Sequence, residues 1–330
     1  MGGGRQYFLP RSAGGSRNDG VDLIEWAKGE GFTYAADKSD FDDAIEEGLL
    51  PLPFLGLFGR SHMDYEIDRN PEVQPSLLEM ATVAIDTLKA ASEEAGDKGY
   101  FIMIEASRID HAGHANDAAG HVHDTLMYNE VMAYLKSFVA EYPDTQLLSA
   151  ADHECGGLTL PDGWDPTVLA KAQNSAEFLA AKFQAEVGDD VAAYLRDTLL
   201  PLSGLEDASD EDVAHYVEIY QAEGVSAMGL AILHDFAELA GVNWSTGGHT
   251  AADIQLHGYT ADKRAYEYMK HEIGFNKPNT ELAKYVEKVL GLDLKNATES
   301  LRADGVDWVE KRDQLVQIKQ RGAMSHAHHS

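Results

Sequence analysis

Along the chain, short unbroken apolar runs alternate with stretches whose apolar residues recur at helical spacing. Residues 21–27 have helical spacing, and Ser39-Asp40-Phe41-Asp42 places an acid three residues after an N-cap, predicting a short helix. Phe54-Leu55-Gly56-Leu57-Phe58, between Pro53 and Gly59, predicts a brief buried strand. Pro75-Ser76-Leu77-Leu78-Glu79 contains a capping box. It opens a helix with apolar Leu77, Met80, Ala81, Ala84, Ile85 and Leu88, which Gly96 ends. Residues 100–104 (Tyr-Phe-Ile-Met-Ile) form a continuous apolar run, the mark of a strand covered on both faces. A helix over 118–140 and a strand over 145–150 follow. Residues 161–241 are helical and acidic, with a capping signal at Ser209-Asp210-Glu211-Asp212, and read as an insertion between sheet elements. A last strand over 251–256 and an amphipathic helix over 279–290 complete the pattern. The alternation predicts βαβ units and an α/β fold with a mostly parallel sheet.

Composition narrows this reading. With 330 residues, 44% hydrophobic and 25% charged, the chain is globular and holds one large domain or two ordinary ones. Its 26 basic and 56 acidic side chains give a net charge of −30, which excludes a nucleic-acid groove or an anionic membrane as the main partner. An anionic ligand would need something to reverse that field locally. The single Cys155 excludes an internal disulfide framework. No run reaches the roughly 18 apolar residues of a membrane span. The start, Met1-Gly2-Gly3-Gly4-Arg5, has no apolar signal core and reads as a loop from inside a fold. The histidine-rich end, residues 325–330, reads as a disordered tail.

Two predicted strands lead into clusters of metal-ligating side chains: Glu105-Ala106-Ser107-Arg108-Ile109-Asp110-His111-Ala112-Gly113-His114, and Ala151-Asp152-His153-Glu154. Ligands in open α/β sheets bind beyond the carboxyl ends of the strands, where both clusters fall. Carboxylates with imidazoles suit Zn²⁺, and a carboxylate such as Glu105 also suits Mg²⁺. The spacing from Asp110 to His114 lets both turn to one ion across a tight bend at Gly113. His121 and His123, in the next helix, read as ordinary helix-face residues, whereas His111 stands open between a supporting role and none. In Ser245-Thr246-Gly247-Gly248-His249-Thr250 the glycines permit close backbone approach, and His249 can supply the third protein ligand that a zinc on Asp110 and His114 requires.

These three segments, in this order and spacing, resemble the alkaline phosphatase family. Gly2-Gly-Gly-Arg-Gln-Tyr-Phe8, Tyr65-Glu-Ile-Asp-Arg69 and Pro75-Ser-Leu-Leu-Glu-Met80 add to the resemblance, which runs from Met1 to about residue 290; the acidic helical insertion and the stretch around 279–294 look more like the fungal vacuolar branch than the bacterial periplasmic one. The resemblance implies a three-layer α/β/α sandwich, two zinc ions beside one magnesium ion, and hydrolysis of small phosphomonoesters through a phosphoserine. By motif position, Asp110, His114 and His249 resemble the ligands of one zinc. Asp152 and His153 resemble two ligands of the other, and Glu105 resembles a magnesium ligand. Two metals clamp the attacking and leaving oxygens of an in-line displacement, and their charge would reverse the field of a −30 protein.

The family's nucleophile motif, Asp-Ser-Ala, does not occur here, nor does any Asp-Ser pair. Arg108 lies inside the metal motif and is not assigned to phosphate. The chain is therefore expected to be the C-terminal part of one alkaline phosphatase domain without its N-terminal strands: a fragment, a truncated reading frame or one piece of a split protein. On this reading it has little activity alone. The alternatives are a non-catalytic metal-binding fragment, or a phosphodiesterase or sulfatase with the same metal pattern. A zinc protease is disfavoured, because no His-Glu-x-x-His occurs. Sequons at Asn243 and Asn296 fit a secretory route, with a vacuolar, extracellular or periplasmic destination. The family implies a homodimer for the full-length protein.

Overall fold

The computed structural model describes residues 1–96 and 99–303, so the expected tail at 325–330 lies outside the described residues. The chain divides into two compact units: residues 1–135 with 155–251, and residues 136–154 with 252 onward.

The first unit opens with its glycines against a strand. Gly2 donates its N–H to the Gly56 carbonyl at 3.0 Å and accepts from Phe58 N–H at 2.8 Å. Gly3 passes so close to Ser61 that a Cβ would strike the Ser61 carbonyl. Helix α1 (Leu23–Gly29) is capped by Asp22 and leads into strand β1 (Thr33–Ala35). Helix α2 (Lys38–Ala44) crosses to strand β2 (Phe54–Gly56), which pairs with β1 in parallel, Tyr34 opposite Leu55. This is a βαβ unit of the kind the alternation predicts, although its first strand was not expected. The cap of α2 is Asp37 rather than the residue at Ser39, because the Asp37 carboxylate accepts the Asp40 N–H at 3.0 Å. Ala35, Phe41, Leu50, Phe58 and Met80 form the core beneath the pair. Helix α3 (Leu77–Glu94) carries the expected capping box: the Ser76 hydroxyl accepts the Glu79 N–H at 3.1 Å, and the Glu79 carboxylate accepts the Ser76 N–H at 2.7 Å.

Residues 100–104 depart from expectation. They pair with no strand among the described residues, and Phe101 and Met103 are 62% and 81% exposed. Tyr100, Ile102 and Ile104 are half-buried between them, so one side is covered rather than two. Apolar continuity marks burial only when a neighbouring layer lies on each face.

Helices α4 (Arg108–Ala115) and α5 (Ala118–Glu141) follow. Asn116, at φ 55°, turns the chain between them. Residues 161–241 are helical: α6 (Pro166–Leu169), α7 (Ala176–Glu186), α8 (Val191–Tyr194), a π-helical turn at Leu195–Leu199, α9 (Leu200–Ser203), α10 (Asp210–Glu223) and α11 (Val225–Ala240). Their core contains Leu179, Phe183, Leu195, Val213, Met228 and Ile232. The signal at Ser209 caps α10 as a full capping box with Asp212. A second core, from Ala118 and Ala119 of α5 to Leu169, Phe236, Ala240 and Val242, lies at the two ends of this span. There Thr159 and Asn243 exchange backbone hydrogen bonds of 2.8 and 3.0 Å.

In the second unit, strand β3 (Leu147–Ala150) pairs with β4 (Leu256–Tyr259) in antiparallel register, Leu148 opposite Gly258. The last strand thus begins where 251–256 was expected to end, because its ladder is set by the partner strand and not by its own apolar content. Helices α12 (Lys263–Ile273), α13 (Thr280–Leu290) and α14 (Leu294–Ala303) complete the described chain. Met269, Ile273 and Tyr285 pack with Leu148 and Leu256. The class is α/β. Among the described residues the strands form one parallel and one antiparallel pair.

Two outcomes follow from the first unit. Ser76→Ala removes one half of the reciprocal cap and should cost about 1 kcal/mol, read as a lower urea midpoint at unchanged slope. Asp124 on α5 accepts the Glu66 N–H at 3.1 Å, and burial pushes its carboxyl up to about 6. A carboxyl raised in the folded state binds more protons there than in the unfolded chain, so stability falls as pH rises from about 4 to about 6. Asp124→Asn should flatten that window by on the order of 2 kcal/mol, measured by urea unfolding across it.

Candidate metal centre

Helix α4 presents Asp110 and His114 four residues apart, hence on one face. The bend expected at Gly113 is instead a regular helical turn, and helical periodicity performs the convergence. Their side chains meet at 3.5 Å, His114 Nε2 to Asp110 Oδ2. His249 arrives from 135 residues away, with its Nε2 at 3.1 Å from His114 Nε2 and 4.0 Å from Asp110 Oδ1. Cys155 Sγ joins them, and one ligand atom from each of Asp110, His114, Cys155 and His249 lies within 4.8 Å of every other.

The backbone explains how His249 gets there. The Gly156 N–H donates to the Gly248 carbonyl at 2.8 Å, and the Gly156 carbonyl accepts from Ser245 and Thr246 N–H at 3.1 and 3.2 Å. Gly156 and Gly157 adopt φ of 83° and 58°. A Cβ at Gly156 would lie 2.5 Å from the Trp244 ring and 2.9 Å from the Gly113 carbonyl, so only glycine lets the segment sit between α4 and the 244–249 loop. His114 Nδ1 lies 2.7 Å from the Gly247 carbonyl. A carbonyl only accepts, so Nδ1 carries the hydrogen and Nε2 presents a lone pair to the cluster. Two imidazole nitrogens 3.1 Å apart, with a carboxylate beside them, converge on one point. One carboxylate, two imidazoles and a thiol form a borderline donor set that fits Zn²⁺ better than Mg²⁺ or Ca²⁺.

The other expected ligands are placed as follows. Glu105 is exposed in the irregular stretch before α4 and is not part of this cluster. Asp152 and His153 belong to the second unit, directly after β3. Their side chains approach to 3.3 Å, Asp152 Oδ2 to His153 Nε2, and His153 Nδ1 lies 3.2 Å from the Glu154 carbonyl.

Arg108 is buried at 7% exposure and is engaged by other partners. Its guanidinium stacks on the Tyr65 ring at 3.6 Å and donates to Glu177 of α7 at 2.7 Å. It also meets His111 Nδ1 at 3.2 Å, and the His62 ring stands 4.3 Å from that of His111. Burial, then the neighbouring His62 and Arg108, push His111 down to about 4, so it is neutral near pH 7. His121 packs edge-on against the Trp244 ring at 5.5 Å, and burial lowers both His121 and His123. Asp117, fully buried, accepts from Gly120 and Ala176 N–H at 2.9 and 2.7 Å and so ties the start of α5 to that of α7. Burial raises its carboxyl.

Sequence reasoning passed over Cys155, although it follows Asp152-His153-Glu154 by one residue. It also missed a second group of ligand type on α11, His234, Asp235 and Glu238. All three are exposed, and Asp235 accepts the Tyr216 hydroxyl at 2.7 Å.

Comparisons with known proteins identify the family and the fold. The family model described as alkaline phosphatase matches residues 1–292. The chain is 34% identical to the repressible alkaline phosphatase of Saccharomyces cerevisiae over 92% of its own length and 58% of the relative's. It is 35% identical to the alkaline phosphatase of Schizosaccharomyces pombe, over 96% of the chain and 59% of the relative. The chain thus spans less than two thirds of the length of these curated relatives. Among solved structures, the cold-active alkaline phosphatase of a Shewanella species superposes with a TM-score of 0.68 at 22% identity, over 88% of this chain and 64% of that one. The Thermus thermophilus alkaline phosphatase gives 0.68 at 25% identity, over 88% and 62%. These likenesses establish the α/β fold of that family.

The glycine constraint gives a sharp expectation. Gly156→Ala forces a positive-φ conformation and a clash with Trp244, and should destabilise the chain by about 1–3 kcal/mol. A urea midpoint equal to wild type would contradict it.

Proposed function

The chain belongs to the alkaline phosphatase family, and from that premise we propose that its α4 cluster is a zinc centre of a phosphomonoester hydrolase. The carrying observation is the meeting of Asp110, His114 and His249 from segments 135 residues apart. In this reading those three residues hold one zinc, Asp152 and His153 contribute to a second, and Glu105 serves a magnesium ion.

Divalent cations bound there supply positive charge to a phosphoryl oxygen and lower the pKa of an attacking hydroxyl. The residues of this chain do the positioning. The Gly247 carbonyl fixes the His114 tautomer so that Nε2 would be the nitrogen offered to a bound cation. Asp110 supplies the negative charge between two imidazoles. Arg108 is held by Tyr65 and Glu177, and so braces α4 instead of reaching for phosphate. The substrates proposed are small phosphomonoesters, hydrolysed through a phosphoserine. The sequence contains no Asp-Ser pair, so these 330 residues hold metal but do not supply that nucleophile motif.

Homodimerisation and a secretory, vacuolar, extracellular or periplasmic setting belong to the same reading. Asn243 and Asn296 are both exposed. Among the described residues no helix is long and apolar enough to cross a membrane.

Equilibrium dialysis of the metal-free chain against Zn²⁺ tests the centre. Zinc should be retained, and Asp110→Ala, His114→Ala and His249→Ala should each weaken it by more than the ~10–100-fold typical of losing a supporting partner. Equal zinc binding by all three variants would sink the assignment. An aryl phosphate should turn over negligibly with the pure chain. Rates of about 1–10³ s⁻¹, usual for enzymes, would mean that the nucleophile lies within this sequence.

A further inference from the structure

We propose that Cys155 is a fourth protein donor of the centre, its thiolate binding the same cation as Asp110, His114 and His249. The inference rests on the zinc reading above and adds a ligand to it. Sγ stands within 4.8 Å of a ligand atom of each of the other three. Zinc–sulfur bonds of about 2.3 Å and zinc–nitrogen bonds of about 2.0 Å require only small movements from that span.

Three features hold the sulfur there. The hydrogen bond from Gly156 to Gly248 joins the residue after Cys155 to the residue before His249, so their side chains are fixed side by side. Position 113, just before His114, is a glycine where the thiol needs room: a Cβ there would lie 3.1 Å from both Cβ and Sγ of Cys155. The thiol also donates to the Asp110 carbonyl at 3.4 Å, on the same helical turn that offers the Asp110 carboxylate.

When the sulfur–metal bond forms, the thiol proton passes to solvent and no oxidant is involved. A thiolate biases the donor set toward Zn²⁺, Cd²⁺ and Co²⁺ over Mg²⁺. Zinc accepts a fifth ligand, so a fourth protein donor does not close the centre to a substrate.

Cobalt separates the two levels of this reading. The metal-free chain is titrated with Co²⁺ while its absorption is recorded. Visible ligand-field bands report capture by the centre as a whole, and a near-ultraviolet sulfur-to-cobalt charge-transfer band reports the thiolate. Wild type should show both. Cys155→Ser and Cys155→Ala should lose the charge-transfer band and keep visible bands, whereas His249→Ala should lose or strongly weaken the visible bands. Visible bands without charge transfer in the wild type overturn the thiolate and leave the zinc centre standing. No bands at all overturn both. The wild-type spectrum decides even where a variant fails to fold.

Discussion

The hydrogen bond from the Gly156 N–H to the Gly248 carbonyl, 2.8 Å long, is the constraint on which the centre depends. His249 and His114 are 135 residues apart, and bringing such distant segments together costs conformational entropy that no single imidazole contact offsets. A short backbone ladder does it collectively. Gly156 accepts twice and donates once, Thr159 and Asn243 exchange two further bonds, and the Gly247 carbonyl takes the His114 ring hydrogen. Two consecutive positive-φ glycines make the approach possible, since any side chain at Gly156 meets Trp244. The candidate ligands are therefore positioned by main chain first, and their own chemistry acts on a geometry already set.

That hierarchy explains what was legible in the sequence. Asp110 and His114 were readable because a carboxylate and an imidazole are metal-binding groups and stand close enough in sequence to turn to one ion. Their helix was not, because glycine at 113 reads as a bend unless the packing around it is known; here it leaves space for Cys155. His249 was readable only as the third protein ligand that a zinc on Asp110 and His114 lacks, since nothing local in Gly247-Gly248-His249 says where the loop goes. The caps at Ser76 and Ser209 were found because their partners lie three residues away. The strand expected at 100–104 does not form, because strand pairing is decided by chain elsewhere. Cys155 was counted as a lone cysteine, and its significance lies in tertiary neighbours.

Charge tells a related story. A chain at −30 has few cations to lend to an anion, and the arginine within the metal motif is engaged. Arg108 lies on the Tyr65 face and donates to Glu177, with its guanidinium buried against α7. On the proposed reading, positive potential at the centre arrives with the ions and leaves with them. The acidic surface then repels loose anionic competitors until that potential is present.

The Thr159–Asn243 exchange also has a consequence for how such a chain can vary. It closes residues 160–242 into a loop whose two ends are held against each other at a fixed separation. The entropy of closing a long loop grows only logarithmically, so doubling its length costs only about 0.6 kcal/mol. Helices within the span can be lengthened, shortened or exchanged while Gly156 and Gly248 keep their distance. Fasteners around the start of α7 limit that freedom: the Asn174 side-chain amide and the Ser175 N–H on Asp68, the Ala176 N–H on Asp117, and the Glu177 carboxylate on Arg108. The span is free to diverge wherever it touches neither those fasteners nor the core it shares with Ala118 and Ala119 of α5.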